Sequence, residues 1–382
     1  MVTKKTKTKK DLIEENLELA EENDNFEDIR TSYIETGNIG FDMALSNGKG
    51  LPVGSSILLW ANPGCGKTTL TADISKRLIK AHKTRGEEFK VLYLAVEGSR
   101  DLMIKMGLGS YMRSHDFIYI EKGLRWRDIE TFFNAVLNGK GDYAGVKLIV
   151  IDSANNVLSD SNEDKSVADH EFGSRAQEKS KFFSKYLPKC KEAGVSVILI
   201  SQVRQNIEAG MFGEKKKAAA TDGDKHNVDI IIKCSQLLSH KDSVKEVTET
   251  AFGTDKIVER YIMLLDPTSS SCKNRYEITH KCELMVDKGK GIQNFYVLRK
   301  LLVYHGFMTE ASGYYTFLSP LCELLEAEEG KKYRKDTVHD IIGKNTGKVV
   351  AFLKEHNCYS VTAPDRVKKV SGDEDTENNE EE

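Results

Sequence analysis

The amino-acid sequence predicts an α/β fold whose central sheet is mostly parallel and is covered by helices on both faces. Five apolar runs between residues 56 and 201 are continuous rather than alternating, which is typical of strands that are buried on both faces. Segments with apolar residues at helical spacing separate most of these runs, as in strand–helix–strand units. The length of 382 residues allows two or three domains.

Each element is predicted from a short stretch of sequence. Strands are predicted at SILLW (56–60), VLYLAVE (91–97), FIYIEK (117–122), VKLIVID (146–152) and VSVILIS (195–201). Helices are predicted after the first strand, after the third strand and over residues 174–194. Three later runs, at 229–234, 258–265 and 281–286, have no helices between them, and we expect them to extend the sheet as antiparallel strands.

The two ends of the chain differ in composition from the part between them. Five lysines fall in the first ten residues, and the last twelve contain seven acidic residues and no basic one. We expect a basic arm with a helix at 11–23 (domain 1–29), the core (30–288), a small C-terminal α/β domain (289–358) and an acidic disordered tail (359–382). The C-terminal domain is predicted to contain helices at 294–304 and 336–356.

Charge and cysteine content limit the classes to which the chain can belong. The net charge of −3 excludes a polycation, so contact with nucleic acid would have to use local basic patches. No apolar run is long enough to cross a bilayer, and the N-terminus lacks the apolar segment of a secretory signal. Seven cysteines without a CxxC pair argue against a zinc site or a disulfide framework. We therefore expect no membrane partner and a cytoplasmic location.

A glycine-rich turn between the first strand and the first helix has the spacing of a phosphate-binding loop. ANPGCGKTT (61–69) fits the P-loop pattern with Ala61 in place of the first glycine. Its glycines allow successive backbone N–H groups to turn toward an anion at the positive end of the helix. Lys67 would reach the β- and γ-phosphates, and the Thr68 hydroxyl would bind Mg²⁺. The predicted nucleotide-binding residues of this loop are Ala61, Asn62, Pro63, Gly64, Cys65, Gly66, Lys67, Thr68 and Thr69.

Polar side chains follow three of the other strands. Asp152 ends the fourth strand, where a carboxylate would help to hold Mg²⁺ beside a P-loop. Glu97 ends the second strand and could activate the attacking water, with a surface turn glutamate as the plain alternative. Gln202 follows the fifth strand, where its amide could sense a γ-phosphate. Since ligands bind beyond the carboxyl ends of parallel strands, we expect these three side chains to lie close together.

Taken in order, these motifs resemble the RecA family of recombinases. ETGNIGFDMALSNGKGLPVGSSILLWANPGCGKTTLT (35–71) resembles the start of that family's core, and VEGSRDLMIKMGL (96–108) resembles its segment with the catalytic glutamate. LIVIDSANNVL resembles its Walker B strand, and ISQVR (200–204) resembles its γ-phosphate switch. The resemblance covers about residues 30–320 and implies a RecA-like P-loop ATPase core with ATP and Mg²⁺ as cofactors. It also implies that Glu97 is catalytic, that Gln202 senses the γ-phosphate and that Asp101 lies near the adenine.

Two further segments resemble parts of that family that act between subunits or on DNA. CKNRYEITHKCELM (272–285) resembles the segment whose two basic residues reach a neighbouring subunit's nucleotide, which assigns Lys273 and Arg275 to catalysis in trans. GMFGE (210–214) resembles part of the second DNA-binding loop, with Phe212 at the aromatic position. The candidate DNA-binding residues are Arg175, Arg204, Met211, Phe212, Gly213, Lys215, Lys216 and Lys217.

The segment 205–227 begins directly after the proposed γ-phosphate sensor. It contains three consecutive lysines and three glycines, and it has no clear apolar period. If Gln202 contacts the γ-phosphate, the nucleotide can bias the order of this segment, which would bind single-stranded DNA without reading its sequence. A disordered surface insertion is the alternative.

The chain also departs from the family pattern. Ile104 stands where the family often places an aromatic residue on the adenine, and Arg275 replaces a lysine. The first loop region, 159–173, carries more acidic residues than a DNA-contacting loop suggests. We therefore expect a divergent member of the phage or plasmid type.

The resemblance implies an ATP-dependent recombination protein. Such a protein polymerises on single-stranded DNA as a helical filament, pairs it with homologous duplex DNA and exchanges strands with DNA-stimulated ATP hydrolysis. The helix at 11–23 would then pack on a neighbouring subunit, and single-strand-binding and mediator proteins are candidate partners. Two other functions use the same core: a replicative helicase, which normally has a larger N-terminal domain, and a regulatory recombination-mediator ATPase.

Overall fold

The structure, a computed structural model, describes residues 32–98, 100–121, 124–160, 174–205, 216–218, 226–250, 253–268, 272–274 and 280–360. The chain divides into two compact units, Met1–Val297 and Leu298–Glu382. The sequence places this boundary at residue 288. The predicted helix at 11–23 and most of the predicted acidic tail lie outside the described residues.

The first unit contains a large central sheet. Its strands, with those of the small β1–β2 pair, are β1 (Tyr33–Ile34), β2 (Leu51–Pro52), β3 (Ser56–Ala61), β4 (Lys90–Ala95), β5 (Phe117–Glu121), β6 (Val146–Asp152), β7 (Ser196–Gln205), β8 (Lys216–Ala218), β9 (Ile230–Leu237), β10 (Val244–Thr250), β11 (Gly253–Asp266), β12 (Lys273–Asn274), β13 (Cys282–Asp287) and β14 (Gly291–Gln293). The order across the sheet is β14-β13-β11-β9-β3-β7-β6-β4-β5, and β9, β3, β7, β6, β4 and β5 are parallel. The predicted fold class is confirmed.

Helices cover this sheet on both faces. They are α1 (Ile39–Ser46), α2 (Lys67–Thr84), α3 (Arg100–Lys105), α4 (Gly109–Arg113), α5 (Trp126–Leu137) and α6 (Ser174–Glu192), and α7 (Asn294–Tyr304) begins at the end of the unit. Leu92 and Leu94 of β4 belong to a buried cluster with Phe133 of α5, whereas Tyr93 faces α2 and contacts Thr71. Burial on both faces explains why the strands read as continuous apolar runs.

The direction of β9 differs from the prediction. The sequence predicts an antiparallel strand at 229–234, but β9 pairs with β3 in parallel, with Ile57 opposite Ile230. β7 and β9 lie on either side of β3 and both run parallel to it. The connection from the end of β7 must therefore return to the other end of the sheet before β9 begins. Parallel connections need about a dozen residues or more, and residues 206–229 provide that length. The two later strands, β11 and β13, are antiparallel as predicted.

The 205–227 segment contains more regular structure than its sequence predicts. β7 continues to Gln205, and β8 pairs with its end in antiparallel fashion, with Val203 opposite Ala218. The backbones of Lys216 and Lys217 therefore lie in a strand rather than in an irregular loop. Residues 206–215 and 219–225 lie outside the described residues.

The second unit combines a small antiparallel sheet with short helices. These elements are β15 (Met308–Ala311), β16 (Tyr314–Phe317), β17 (Tyr333–Arg334), α8 (Leu321–Leu324), α9 (Lys335–Lys344) and α10 (Thr346–Glu355). The region predicted as helical at 336–356 forms two helices, α9 and α10, which meet at Asn345. The Asn345 side chain donates to the Ile341 carbonyl at 3.0 Å, and asparagine disfavours a helix interior through such local bonds. None of the described helices combines the length and the apolar character that a membrane span requires.

Phe133 tests the packing of α5 and α6 on the sheet. Its ring is fully buried and lies edge-on to Phe182, with 4.9 Å between ring centroids. Phe133→Ala should lower the free energy of unfolding by about 3–5 kcal/mol, because it leaves a cavity. The chain's two tryptophans, Trp60 and Trp126, lie in the same cluster, so their fluorescence in urea measures this loss. Phe132→Ala, at a partly buried neighbour, should cost clearly less, and an equal cost would contradict the assigned packing.

Candidate active site

The P-loop joins β3 to α2 through a backbone that requires glycine. Gly64 and Gly66 have φ values of +75° and +91°, in the left-handed region that other residues rarely adopt. A Cβ on Gly66 would also lie 2.2 Å from the Tyr261 hydroxyl, so a larger residue does not fit. Gly66 is the N-cap of α2 and provides no side-chain cap. The first N–H groups of α2 are therefore available to an anion.

Lys67 is held against the carbonyl groups of its own loop. Its Nζ donates hydrogen bonds to the carbonyl oxygens of Ala61 (3.0 Å) and Asn62 (3.1 Å). The side chain is buried, and this burial lowers the pKa of Lys67. Burial also raises the pKa of Cys65 to about 11, so that thiol stays protonated at neutral pH and serves as a small packing residue.

Thr68 and Asp152 form the second part of the site. Thr68 Oγ1 donates to Asp152 Oδ2 at 2.7 Å, and the Tyr93 hydroxyl donates to the same oxygen at 2.9 Å. Burial raises the pKa of Asp152, whereas these two hydrogen bonds lower it. Burial also raises the pKa of Tyr93 well above its usual value, so its hydroxyl remains a neutral donor.

The chemistry of this wall fits a magnesium ion. Mg²⁺ takes oxygen ligands and is usually held by one or two protein groups together with phosphate oxygens. Thr68 and Asp152 line the pocket with oxygen donors, as predicted. Ser153 lines it too, and its buried Oγ has no hydrogen-bond partner among the described residues. An unsatisfied buried hydroxyl is costly, and a bound ligand or water would satisfy it.

The ends of β4 and β7 add a carboxylate and an amide. The backbone N–H groups of Val96 and Glu97 both donate to the Asp152 carbonyl oxygen, at 2.6 and 3.0 Å. The chain turns there, so β4 ends at Ala95 rather than at residue 97 as predicted. Gln202 Nε2 donates to both carboxylate oxygens of Glu97, at 3.0 and 3.1 Å. The structure thus brings together the three polar residues expected at the carboxyl ends of the strands.

A pocket of about 470 Å³ contains these groups. The predicted loop contributes residues 63–69 to its wall, and Glu97, Asp152 and Gln202 line the same space. Ala61 and Asn62 act through their carbonyl groups on Lys67. The pocket therefore places the first N–H groups of α2, a lysine, two carboxylates and an amide around one space.

Some residues of the pocket were not identified from the sequence. Leu102, Tyr261 and Lys288 line it, and Tyr93 lies behind Asp152. Tyr93 belongs to an apolar strand, and nothing in that strand indicates which of its residues faces α2. Lys288 follows β13 in the turn DKGKG, and a basic, glycine-rich turn after a strand is a signal that could have indicated it.

Three predicted site residues lie elsewhere or are not described. Asp101 is exposed in the first turn of α3 and is not among the residues that line the pocket. Its neighbour Leu102 lines the pocket instead. Lys273 lies in β12, where its Nζ donates to the His226 carbonyl at 3.5 Å. Arg275 lies outside the described residues. The roles assigned to these residues remain predictions.

The predicted DNA-binding residues fall largely outside the described part. Met211, Phe212, Gly213 and Lys215 are not described. The backbones of the other predicted residues lie in regular elements, but their side chains are not described; these are Arg175 in α6, Arg204 in β7, and Lys216 and Lys217 in β8.

Comparisons with known proteins support a RecA-like P-loop ATPase core. A family model described as an AAA domain matches residues 46–206. Protein RecA of Teredinibacter turnerae is 22% identical over 336 residues, which cover 88% of this chain and 83% of that protein. Protein RecA of Mannheimia haemolytica is 22% identical over 323 residues (85% of this chain, 74% of that protein), and Protein RecA of Ureaplasma parvum is 27% identical over 191 residues (50% and 52%). These similarities support a RecA-like P-loop ATPase at the level of the family.

The matches support the resemblance to the RecA family seen in the sequence. The match to Protein RecA of Teredinibacter turnerae extends over most of both chains. The AAA match begins before the P-loop and ends just after β7, so it contains the loop, Glu97, Asp152 and Gln202. The RecA-like core is therefore the part of the chain that builds the pocket.

Lys67→Ala should weaken the binding of ATP by about 10-fold to 100-fold, because a charge-assisted contact to phosphate is lost. Titration with a fluorescent ATP analogue measures this change. Lys80→Ala is the matched control, since Lys80 is an exposed lysine of the same helix and should leave binding unchanged. Equal affinity of the Lys67 variant and the wild type would contradict the assigned phosphate site.

Proposed function

We propose that the protein is an ATP-dependent DNA strand-exchange protein. It polymerises on single-stranded DNA, promotes pairing with homologous duplex DNA and hydrolyses ATP with stimulation by DNA. The observation that carries the proposal is the contact between Glu97 and Gln202. It links the carboxylate suited to catalysis with the strand that leads directly into the candidate DNA-binding segment 205–227.

In this proposal, the pocket residues divide the work of ATP hydrolysis. Lys67 and the first N–H groups of α2 bind the phosphates, and Glu97 orients and deprotonates the attacking water. Gln202 holds the Glu97 carboxylate through two hydrogen bonds. Thr68 and Asp152 would hold Mg²⁺, which supplies charge neutralisation at the phosphates when it is bound. Lys273 and Arg275 of one subunit act on the nucleotide of the next, as an arginine finger does.

Gln202 connects the state of the nucleotide with DNA binding. Its amide cannot bond fully to both Glu97 and a γ-phosphate, so ATP competes for a donor that otherwise holds Glu97. A shift of Gln202 acts on the next residues of β7, Val203 to Gln205, which pair with β8. The β7–β8 pair contains three basic residues, Arg204, Lys216 and Lys217. A change in this pair therefore changes where the three residues lie. Phosphate-held switch segments act in this way.

The relatives support the DNA-related part of the proposal. The three related proteins described above are all named Protein RecA, and two of them match along most of this chain. Single-stranded and homologous duplex DNA, further copies of the chain in a helical filament, and single-strand-binding and mediator proteins are accordingly the proposed partners. The proposed location is the cytoplasm of a bacterial cell, or of the host if a phage encodes the protein.

Glu97→Gln should lower DNA-stimulated ATP hydrolysis by about 100-fold or more, because the general base is lost while the shape is kept. Steady-state phosphate release with and without single-stranded DNA measures this effect, and a fluorescent ATP analogue shows that binding persists. Glu121→Gln is the control, since Glu121 ends the neighbouring strand β5, is exposed and lies outside the pocket wall. Hydrolysis without any response to DNA would favour the regulatory ATPase, and closed rings in electron micrographs would favour the helicase.

Gln202→Ala should uncouple DNA binding from the nucleotide. In the wild type, the affinity for a fluorescent single-stranded oligonucleotide should be higher with a non-hydrolysable ATP analogue than with ADP. In the variant, this ratio should fall toward one, because no amide senses the γ-phosphate. Gln236→Ala is the control, since Gln236 also lines the pocket but lies on β9 and is not part of the β7–β8 pair. A ratio that persists in the Gln202 variant would remove this residue from the coupling.

A further inference from the structure

Tyr93 is a buried tyrosine whose hydroxyl contacts both the P-loop helix and the strand that ends in Asp152. Its side chain is fully buried within β4, and its hydroxyl lies 2.9 Å from Asp152 Oδ2. Thr71 Oγ1 lies 3.1 Å from the same hydroxyl and belongs to α2, the helix that carries Thr68. Tyr93 thus joins the two elements that supply the Mg²⁺-binding oxygens.

The direction of these hydrogen bonds follows from the carboxylate. An ionised carboxylate only accepts hydrogen bonds, so the single proton of the Tyr93 hydroxyl points toward Asp152. Thr71 then donates either to the Tyr93 oxygen or to the helix carbonyls of Lys67 and Thr68, both at 3.2 Å. The Tyr93 hydroxyl is therefore a dedicated donor to Asp152 rather than a group satisfied within its own strand.

Two donors on one oxygen restrict the rotation of the Asp152 carboxylate. Thr68 and Tyr93 both bond to Oδ2, and Oδ1 accepts no hydrogen bond from the described residues. Thr68 belongs to the P-loop helix and Tyr93 to the neighbouring strand, so Oδ2 is held from two elements. Oδ1 is the oxygen left for a cation or for its water. Groups that orient a metal-binding side chain in this manner affect metal affinity by about 10-fold to 100-fold.

We propose that Tyr93 is a positioning residue that holds the Asp152 carboxylate in the orientation that binds Mg²⁺ together with the nucleotide. This inference rests on the proposed function only in requiring that the pocket bind a Mg²⁺–nucleotide complex. It does not depend on DNA binding, on polymerisation or on strand exchange.

Tyr119 supplies a matched control for a purely structural role. Its ring is stacked on that of Tyr93, with 5.9 Å between centroids, and it belongs to the adjacent strand β5. Its hydroxyl is buried as well, but it has no hydrogen-bond partner among the described residues. Tyr119→Phe and Tyr93→Phe therefore make the same chemical change in the same aromatic cluster, and only the second removes a bond to Asp152.

The experiment measures the affinity of the full chain for a fluorescent ADP analogue in the presence of Mg²⁺ and in EDTA. In the Tyr93→Phe variant, the ratio of the two affinities should fall by about 10-fold or more, while the affinity in EDTA stays unchanged. The Tyr119→Phe variant should keep the wild-type ratio. Thr71→Val, which keeps the shape but removes the second contact of the Tyr93 hydroxyl, should lower the ratio by a smaller factor. Tryptophan fluorescence during urea unfolding verifies that each variant is folded.

The possible outcomes separate this inference from the proposed function. An unchanged ratio in Tyr93→Phe, or affinities that fall equally with and without Mg²⁺, would overturn the role of Tyr93 in orienting Asp152. An equal decrease of the Mg²⁺-to-EDTA affinity ratio in the Tyr93 and Tyr119 variants would overturn this role too. Such a result would indicate a general effect of the aromatic cluster. A wild type that binds the nucleotide in a Mg²⁺-dependent manner but ignores DNA would refute strand exchange and leave the Tyr93 inference standing. Absence of nucleotide binding by the wild type would refute both.

Discussion

The backbone carbonyl of Asp152 is the contact on which the candidate site depends. It accepts hydrogen bonds from the N–H groups of both Val96 and Glu97, and so it ends β4 and turns the chain at that point. The Asp152 carboxylate, on the same residue, accepts from Thr68 and Tyr93. A single residue thus determines where β4 ends, where Glu97 is placed and how the P-loop helix is tied to the sheet.

This arrangement is possible because the strands are parallel and adjacent. β7, β6 and β4 lie side by side in the sheet, so their carboxyl ends open on the same edge. Gln202, Asp152 and Glu97 occupy these three ends in that order, and the P-loop follows β3 on the other side of β7. Backbone groups that no longer pair at the strand ends become available for turns and for ligands, which explains why the polar residues of an apolar sheet collect there.

Glu97 and Gln202 also explain how a local event at the phosphates could affect a distant surface. Their contact is formed between side chains at two strand ends, with no intervening packed core. In the proposed coupling, a shift of Gln202 acts on the last residues of β7, which pair among the described residues with the short strand β8 beyond the parallel part of the sheet. Short, two-stranded pairings are weak by themselves, and a weakly stable element is the kind that a ligand can shift.

Elements with strong short-range signals could be predicted from the local sequence. The strands β3, β4, β6 and β7 were predictable because burial on both faces leaves continuous apolar runs, whereas β5 lies at the edge of the sheet and is only partly buried. The P-loop was predictable because its backbone excludes most residues other than glycine at positions 64 and 66. Four features could be seen only in the folded structure: the direction of β9, the end of β4, the break at Asn345 and the place of Tyr93 behind Asp152. Each of these depends on a partner that is distant in sequence or on a competition between nearby hydrogen bonds, and neither is visible in a pattern of apolar and polar residues. The sequence indicates which residues carry the chemistry, and the fold decides which of their atoms meet.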